Sequence, residues 1–190
     1  MNAAIDISQV VLQTERLILR PWKAVDLDDF FEYASVDGVG QMAGWLPHQS
    51  REESLKILNR FIEEKKTFAL ERCGKVIGSL GIEEYNEKVL PEFEDKTCRE
   101  IGYALSRDYW GQGLMAEAVS EVVRYLFEEI RLDVIFCGCF LWNNQSARVQ
   151  EKCWFTFFRK IEHETKYGTI ESTNYSLLLR EDWMSKNTLR

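Results

Sequence analysis

A chain of 190 residues, 45% hydrophobic and 13% aromatic, is long enough to bury one substantial core and too short to promise two, so a single domain over residues 1–190 is expected. With 24 Lys plus Arg against 31 Asp plus Glu, the formal charge of −7 argues against nucleic-acid binding and suits a cationic or amine partner. Five cysteines without a C-x-x-C pair, only two histidines and no run of ~18 uncharged apolar residues argue against a disulfide framework, a metal site and a membrane span, and point to a cytoplasmic setting.

In chain order, TERLILRP predicts a strand with Leu17 and Leu19 on one face, Arg16, Ile18 and Arg20 on the other, and a stop at Pro21. AVDLDDFFEYAS spaces Leu27, Phe30, Phe31 and Ala34 as a helix, and SREESLKILNRFIEEKK opens a second one with a capping box from Ser50 to Glu53. Between them lies the loop VDGVGQMAGWLPHQ. TFALERCGKVIGSLGIEEY predicts a hairpin turning at Cys73-Gly74, and CREIGYALS a further strand. LMAEAVSEVVRYLFEEI then sets Met115, Val119, Val122 and Leu126 against Glu117, Glu121, Arg124 and Glu128, the pattern of a half-buried helix. LDVIFCGCFLW has too few polar residues for a solvated face and predicts a central strand. NQSARVQEKC is a short helix, and FFRKIEHE and STNYSLLLRE are closing strands. The class is α+β or α/β.

The stretch WGQGLMAEA, Trp110 to Ala118, places two glycines at the entry of the long helix. Gly111, Gly113 and Ala116 match the dinucleotide pattern G-x-G-x-x-A, and Asp133 follows Gly113 by 20 residues. The context disagrees: Asp133 stands at the entrance of its strand, and RDYW separates the preceding strand from the first glycine. A nucleotide-hydrolysing P-loop is excluded because Leu114 and Met115 follow Gly113 where Lys and Ser or Thr are needed. What remains is a glycine-shaped helix start whose free N–H groups suit a phosphate or diphosphate, or else a plain helix entry.

EIGYALSRDYWGQGLMAEAV, followed after one strand by NNQSARVQEKCWF, resembles the GNAT superfamily of acetyl-CoA-dependent N-acetyltransferases, closest to its ribosomal-protein-alanine branch. TERLILRPW and GWLPHQSREES are similar to the same branch, so the resemblance spans nearly the whole chain. It implies a mostly antiparallel sheet of about seven strands, flanked by about four helices, with a V-shaped splay between the strand ending at Ser106 and the one starting near Asp133. Acetyl-CoA would lie in that gap. The N–H groups of Gly111, Gln112, Gly113, Leu114 and Met115 would hold its diphosphate, the backbone of Tyr103 and Leu105 would follow the pantetheine arm, and Asn143 and Ser146 would contact it. Relatives often dimerise, which admits a homodimer here. Two departures stand out. Met115 replaces the usual small residue of the loop, and Trp154 replaces glycine before Phe155, where a positive φ would strain a bulky side chain.

Acetyl transfer to an amine needs a neutral nucleophile, a stabilised oxyanion and a proton for the leaving thiolate. Glu100 is the first candidate base, sharing a face with Gly102, Ala104 and Ser106, although an edge carboxylate paired with Arg99 or Lys96 fits the same residues. Glu83 or Glu84 is the substitute. Ser146, or a water it holds, could protonate the thiolate; equally, it could cap the helix from Ala147 to Cys153. A tyrosine seven residues after Asn143 is absent, that position being Gln150. Trp45 and His48 lie where the family builds its acceptor site, with a core anchor as the alternative for Trp45. The expected acceptor is a primary amine, either a protein N-terminus or a small amine. A module that binds acyl-CoA without turnover is the alternative from another class.

Overall fold

The computed structural model describes residues 1–188. Its elements are β1 (Leu12–Gln13), β2 (Ile18–Pro21), α1 (Leu27–Ala34), α2 (Arg51–Glu64), β3 (Thr67–Arg72), β4 (Lys75–Glu83), β5 (Cys98–Leu105), α3 (Leu114–Glu128), β6 (Val134–Phe140), α4 (Asn144–Lys152), β7 (Thr156–Glu164), β8 (Ile170–Leu179) and α5 (Arg180–Thr188). The strands form one sheet in the order β1-β2-β3-β4-β5-β6-β8-β7, antiparallel at every junction except β5 to β6. The mixed, mostly antiparallel architecture agrees with expectation; the two-residue β1 and the polar α5 are additions to the elements read above. α5 buries none of its residues, so it has no apolar stripe by which to be recognised. Among the described residues no helix is long and apolar enough to cross a membrane.

Local chemistry explains the element boundaries. Cys73 and Gly74 both take positive φ, 51° and 80°, giving the left-handed two-residue turn that matches strand twist and closes the β3–β4 hairpin. Ser50 Oγ accepts from the Glu53 N–H at 3.2 Å, as the capping box requires, but the Glu53 carboxylate reaches back to the Gln49 N–H at 2.7 Å instead of that of Ser50.

α3 buries more than half of itself. Met115, Val119, Val122 and Leu126 are covered as predicted, and so are Leu114, Ala118, Val123, Tyr125 and Phe127. Met115 is therefore part of the core cluster, and it also reaches the wall of a cleft between β5 and β6. On the other face Arg124 pairs with Glu121 and Glu128. A second cluster of Trp22, Phe30, Tyr33 and Leu58 packs α1 and α2 onto β3 and β4.

Two local findings bear on the sequence reading, Arg20 as a correction and Trp154 as the expected positive φ. Arg20 shares its strand face with exposed Ile18 yet is itself buried, because the helical turn Ala24–Asp26 covers that end of β2 and supplies a carboxylate partner. Trp154 does adopt φ 68°, completing the C-terminal cap of α4: its N–H donates to Glu151 O at 3.1 Å, and the Phe155 N–H donates to Gln150 O at 3.0 Å. The ring packs against the core edge, with Lys186 Nζ 5.7 Å from its centroid. An L side chain in this conformation costs roughly 1–2 kcal/mol. Trp154→Gly should therefore be about 1 kcal/mol more stable than Trp154→Ala, the reverse of the usual helix order, when denaturant midpoints are compared.

Candidate active site

The sheet opens where β5 and β6 part. β4 and β5 stay paired from Glu83↔Glu100 to Gly78↔Leu105, whereas β5 and β6 are in register only at Cys98↔Val134, Arg99↔Ile135 and Glu100↔Phe136. Beyond that third pair the strands diverge around a cleft of about 740 Å³. The glycine loop, Met42 and Ala43 from the α1–α2 loop, Glu84, and Glu162–Glu164 of β7 are all among its walls.

At the loop, Gly111 and Gly113 take φ 75° and 78°, a region glycine enters without cost. Gly113 caps α3 without a side-chain hydrogen bond, and the first intrahelical bond runs from the Glu117 N–H to Gly113 O. The preceding N–H groups of this 15-residue helix are left for a ligand, with the helix dipole behind them. Asp133 lies at the far end of β6, its Oδ2 accepting from the Thr97 N–H and Oγ1 at 2.9 and 2.8 Å, so it plays no part at the glycines.

Where the strands begin to part, the Tyr175 hydroxyl, from β8, donates to Glu100 Oε2 at 2.5 Å. Burial drives the Glu100 carboxyl up to about 7; the Tyr175 bond pulls it down and the charge of Glu83 adds to the rise. Burial and the neighbouring Glu100 charge raise the Tyr175 phenol far above its ordinary range and keep it a proton donor. Farther along, Tyr103 Oη and Ser146 Oγ share a hydrogen bond at 3.0 Å, and burial also holds the Tyr103 phenol protonated. Asn143 caps α4 through Oδ1, which accepts from the Ser146 N–H at 3.0 Å, while its Nδ2 donates to Met42 O at 3.1 Å.

The expected site residues separate into two groups. Glu100, Tyr103, Leu105, Gly111, Gly113, Leu114, Met115, Asn143 and Ser146 all line the cleft. Gln112 turns its side chain outward to Arg72 Nη1, 2.9 Å away, so only its backbone remains at the loop. Glu83 pairs with Lys66 at 2.7 Å, and its neighbour Glu84 takes the place on the cleft wall. His48 is buried with Nδ1 2.7 Å from Ser54 Oγ, Trp45 packs on its ring, and neither lines the cleft. Tyr175 is the residue that sequence reasoning missed. Only its pairing with Gly138 brings it over β6 toward Glu100, and nothing local marks it within STNYSLLLRE.

A cleft between two parallel strands that part, ended by an uncapped glycine-entered helix, is the arrangement expected from the resemblance. Residues 16–156 match the family model described as an acetyltransferase (GNAT) domain. The chain belongs to the GNAT family. The uncharacterized N-acetyltransferase YoaA of Bacillus subtilis (strain 168) is 29% identical to this GNAT chain over 152 residues, covering 76% of it and 82% of YoaA. A GNAT-family acetyltransferase from Bacillus anthracis superposes with a TM-score of 0.78 at 22% identity, over 90% of this chain and 99% of that one. The ribosomal-protein-S5-alanine acetyltransferase of Vibrio fischeri gives 0.70 at 20% identity, with 92% and 99% covered. The microcin C7 self-immunity acetyltransferase MccE, solved with acetyl-CoA and AMP, gives 0.71 at 13%, with 87% and 93% covered. The protein is thus an acetyl-CoA-dependent N-acetyltransferase acting on amines, and its loop and cleft fit that co-substrate: free N–H groups for a diphosphate and a narrow slot between strands for an extended arm.

Proposed function

We propose that this GNAT chain acetylates the N-terminal amine of a protein. The N–H groups of Gly111, Gln112, Gly113, Leu114 and Met115 hold the diphosphate of acetyl-CoA, and the backbone from Tyr103 to Leu105 follows its pantetheine arm. Glu100, oriented by Tyr175, takes the proton from the attacking amine. Ser146, bonded to Tyr103, returns one to the departing thiolate. Asn143 positions Ser146 and steadies the Met42 loop, which Trp45 and His48 support from behind. The observation that carries this reading is the presence, in one cleft, of an uncapped helix start and a carboxylate, Glu100, hydrogen-bonded by the Tyr175 phenol.

Support for a protein acceptor comes from the cleft's walls, to which the α1–α2 loop, the segment after β4 and β7, the outer strand of the sheet, all contribute. A small polyvalent amine is the second reading, favoured by Glu84, Glu162 and Glu164 among the cleft's lining residues. Peptides with free N-termini, the same peptides blocked, and di- and polyamines separate the two: acetylation confined to the amines overturns the protein reading.

The donor side is tested by thermal unfolding with acetyl-CoA, CoA and NADH. A ligand at 100 times its Kd adds about 2.7 kcal/mol of stability, so both CoA species are expected to shift the transition and NADH to leave it in place. No shift with acetyl-CoA would remove the loop from the site.

A further inference from the structure

The glycine loop is held from outside by a residue that the transfer chemistry does not use. Arg16 Nη1 donates to Gln112 O at 3.0 Å, while its Nε and Nη2 grip Glu117 Oε2 at 2.7 and 2.6 Å. The other carboxylate oxygen of Glu117 accepts from the Thr14 hydroxyl at 2.5 Å and from the Arg16 N–H at 2.9 Å. Glu117 sits in the first turn of α3, so the segment before β2 is fastened at once to the loop and to the helix that follows it. Burial works against the Glu117 charge, and these bonds overcome it, holding the carboxyl below its ordinary range.

The geometry has a specific effect. In a trans peptide the carbonyl and the following N–H point in opposite directions, and the described residues contain no cis peptide. Fixing the Gln112 carbonyl outward toward Arg16 therefore aims the Gly113 N–H inward to the cleft. Glycine is the residue least able to prevent this peptide from turning over by itself, since both signs of φ are open to it. Turned over, the peptide would present a carbonyl oxygen to an anion.

We propose that Arg16, clamped by Glu117 and Thr14, is a positioning residue that locks the Gln112–Gly113 peptide with its N–H facing the diphosphate of acetyl-CoA. This rests on the reading of the loop given above. The test is isothermal titration of the full chain with CoA, dephospho-CoA and pantetheine, the last lacking the diphosphate. Arg16→Gln should weaken CoA and dephospho-CoA alike, by about tenfold, the scale of one hydrogen bond to a charged group, and leave pantetheine unchanged. Arg16→Lys should recover little, because an ammonium cannot hold Gln112 O and Glu117 together. Thr14→Val, which keeps every charge and disturbs packing least, should show the same pattern at smaller size. It carries the test if Arg16→Gln does not fold. CoA binding within twofold of wild type in Arg16→Gln, full recovery with lysine, or equal losses for pantetheine and CoA would each overturn the lock. Wild-type protein that binds pantetheine and CoA equally well would instead overturn the reading of the loop, and the lock with it.

Discussion

Glu100→Gln is expected to lower the acetyl-transfer rate at pH 7 by at least about a hundredfold, the usual contribution of a positioned general base, and to make the protein more stable above neutral pH. The two effects have one origin. Burial lifts the folded-state pKa of Glu100 from the ordinary 4.5 to about 7. A carboxyl whose folded pKa is raised binds its proton more tightly in the folded chain. Stability therefore falls as pH rises from about 4.5 to about 7, and the cost is constant above that. Its size is roughly 3 kcal/mol, and an amide in the same place avoids it. Wild-type kcat/KM should rise with pH through about 7, and the profile of Glu100→Gln should lose that limb. Tyr175→Phe removes a hydrogen bond that favours the charged form, so its limb should move to higher pH. An unchanged rate and profile in Glu100→Gln would assign the proton to another group or to solvent.

Asp26→Ala should destabilise the protein by about 3 kcal/mol, the low end of the cost of breaking a buried pair, because Arg20 keeps Glu71 as a second carboxylate. Arg20 Nη1 and Nη2 form a fork to the two oxygens of Asp26, each at 2.8 Å, and Nε reaches Glu71 at 2.6 Å. Asp26 Oδ2 also accepts from the Lys23 N–H at 2.7 Å, closing the turn that leads into α1. Both side chains are nearly sealed from water. In a chain of this length each kcal/mol lowers Tm by roughly 2–4 °C, so scanning calorimetry should show a fall of about 10 °C. Replacing both residues, Arg20→Met with Asp26→Leu, should cost less than Asp26→Ala alone, since the one carboxylate then left without a partner, Glu71, is partly open to water. Equal losses in the single and double variants would show that the turn matters and the pair does not.

Much of this was legible in the residues because it is written locally. Alternation in TERLILRP, the helical stripe of α3 and the apolar run of β6 each reflect burial on a face that a short window can display. The glycine pair was legible for the same reason, since its meaning is a backbone conformation at two positions. Tyr175, Arg20 and Arg16 were not, because their partners lie 75, 6 and 101 residues away and are selected by strand register and by the turn over β2. Buried arginine at an alternating position reads as solvent-facing until its carboxylate is found. His48 and Trp45 show the converse: their place in the acceptor loop was visible, and their inward orientation onto Phe30, Ser54 and each other was not.

The β5–β6 junction carries a mechanical consequence. Its last register pair is Glu100↔Phe136, so the proposed base stands at the pivot of the V, while Leu105 lies five residues out along one arm. At ~3.3 Å per residue that arm is about 16 Å long, and a rotation of about 5° displaces its tip by roughly 1.4 Å while hardly moving the pivot. Because β5 stays paired with β4 from Glu100 to Leu105, such a rotation would carry β4 with it, and the carboxylate proposed as the base would hardly move.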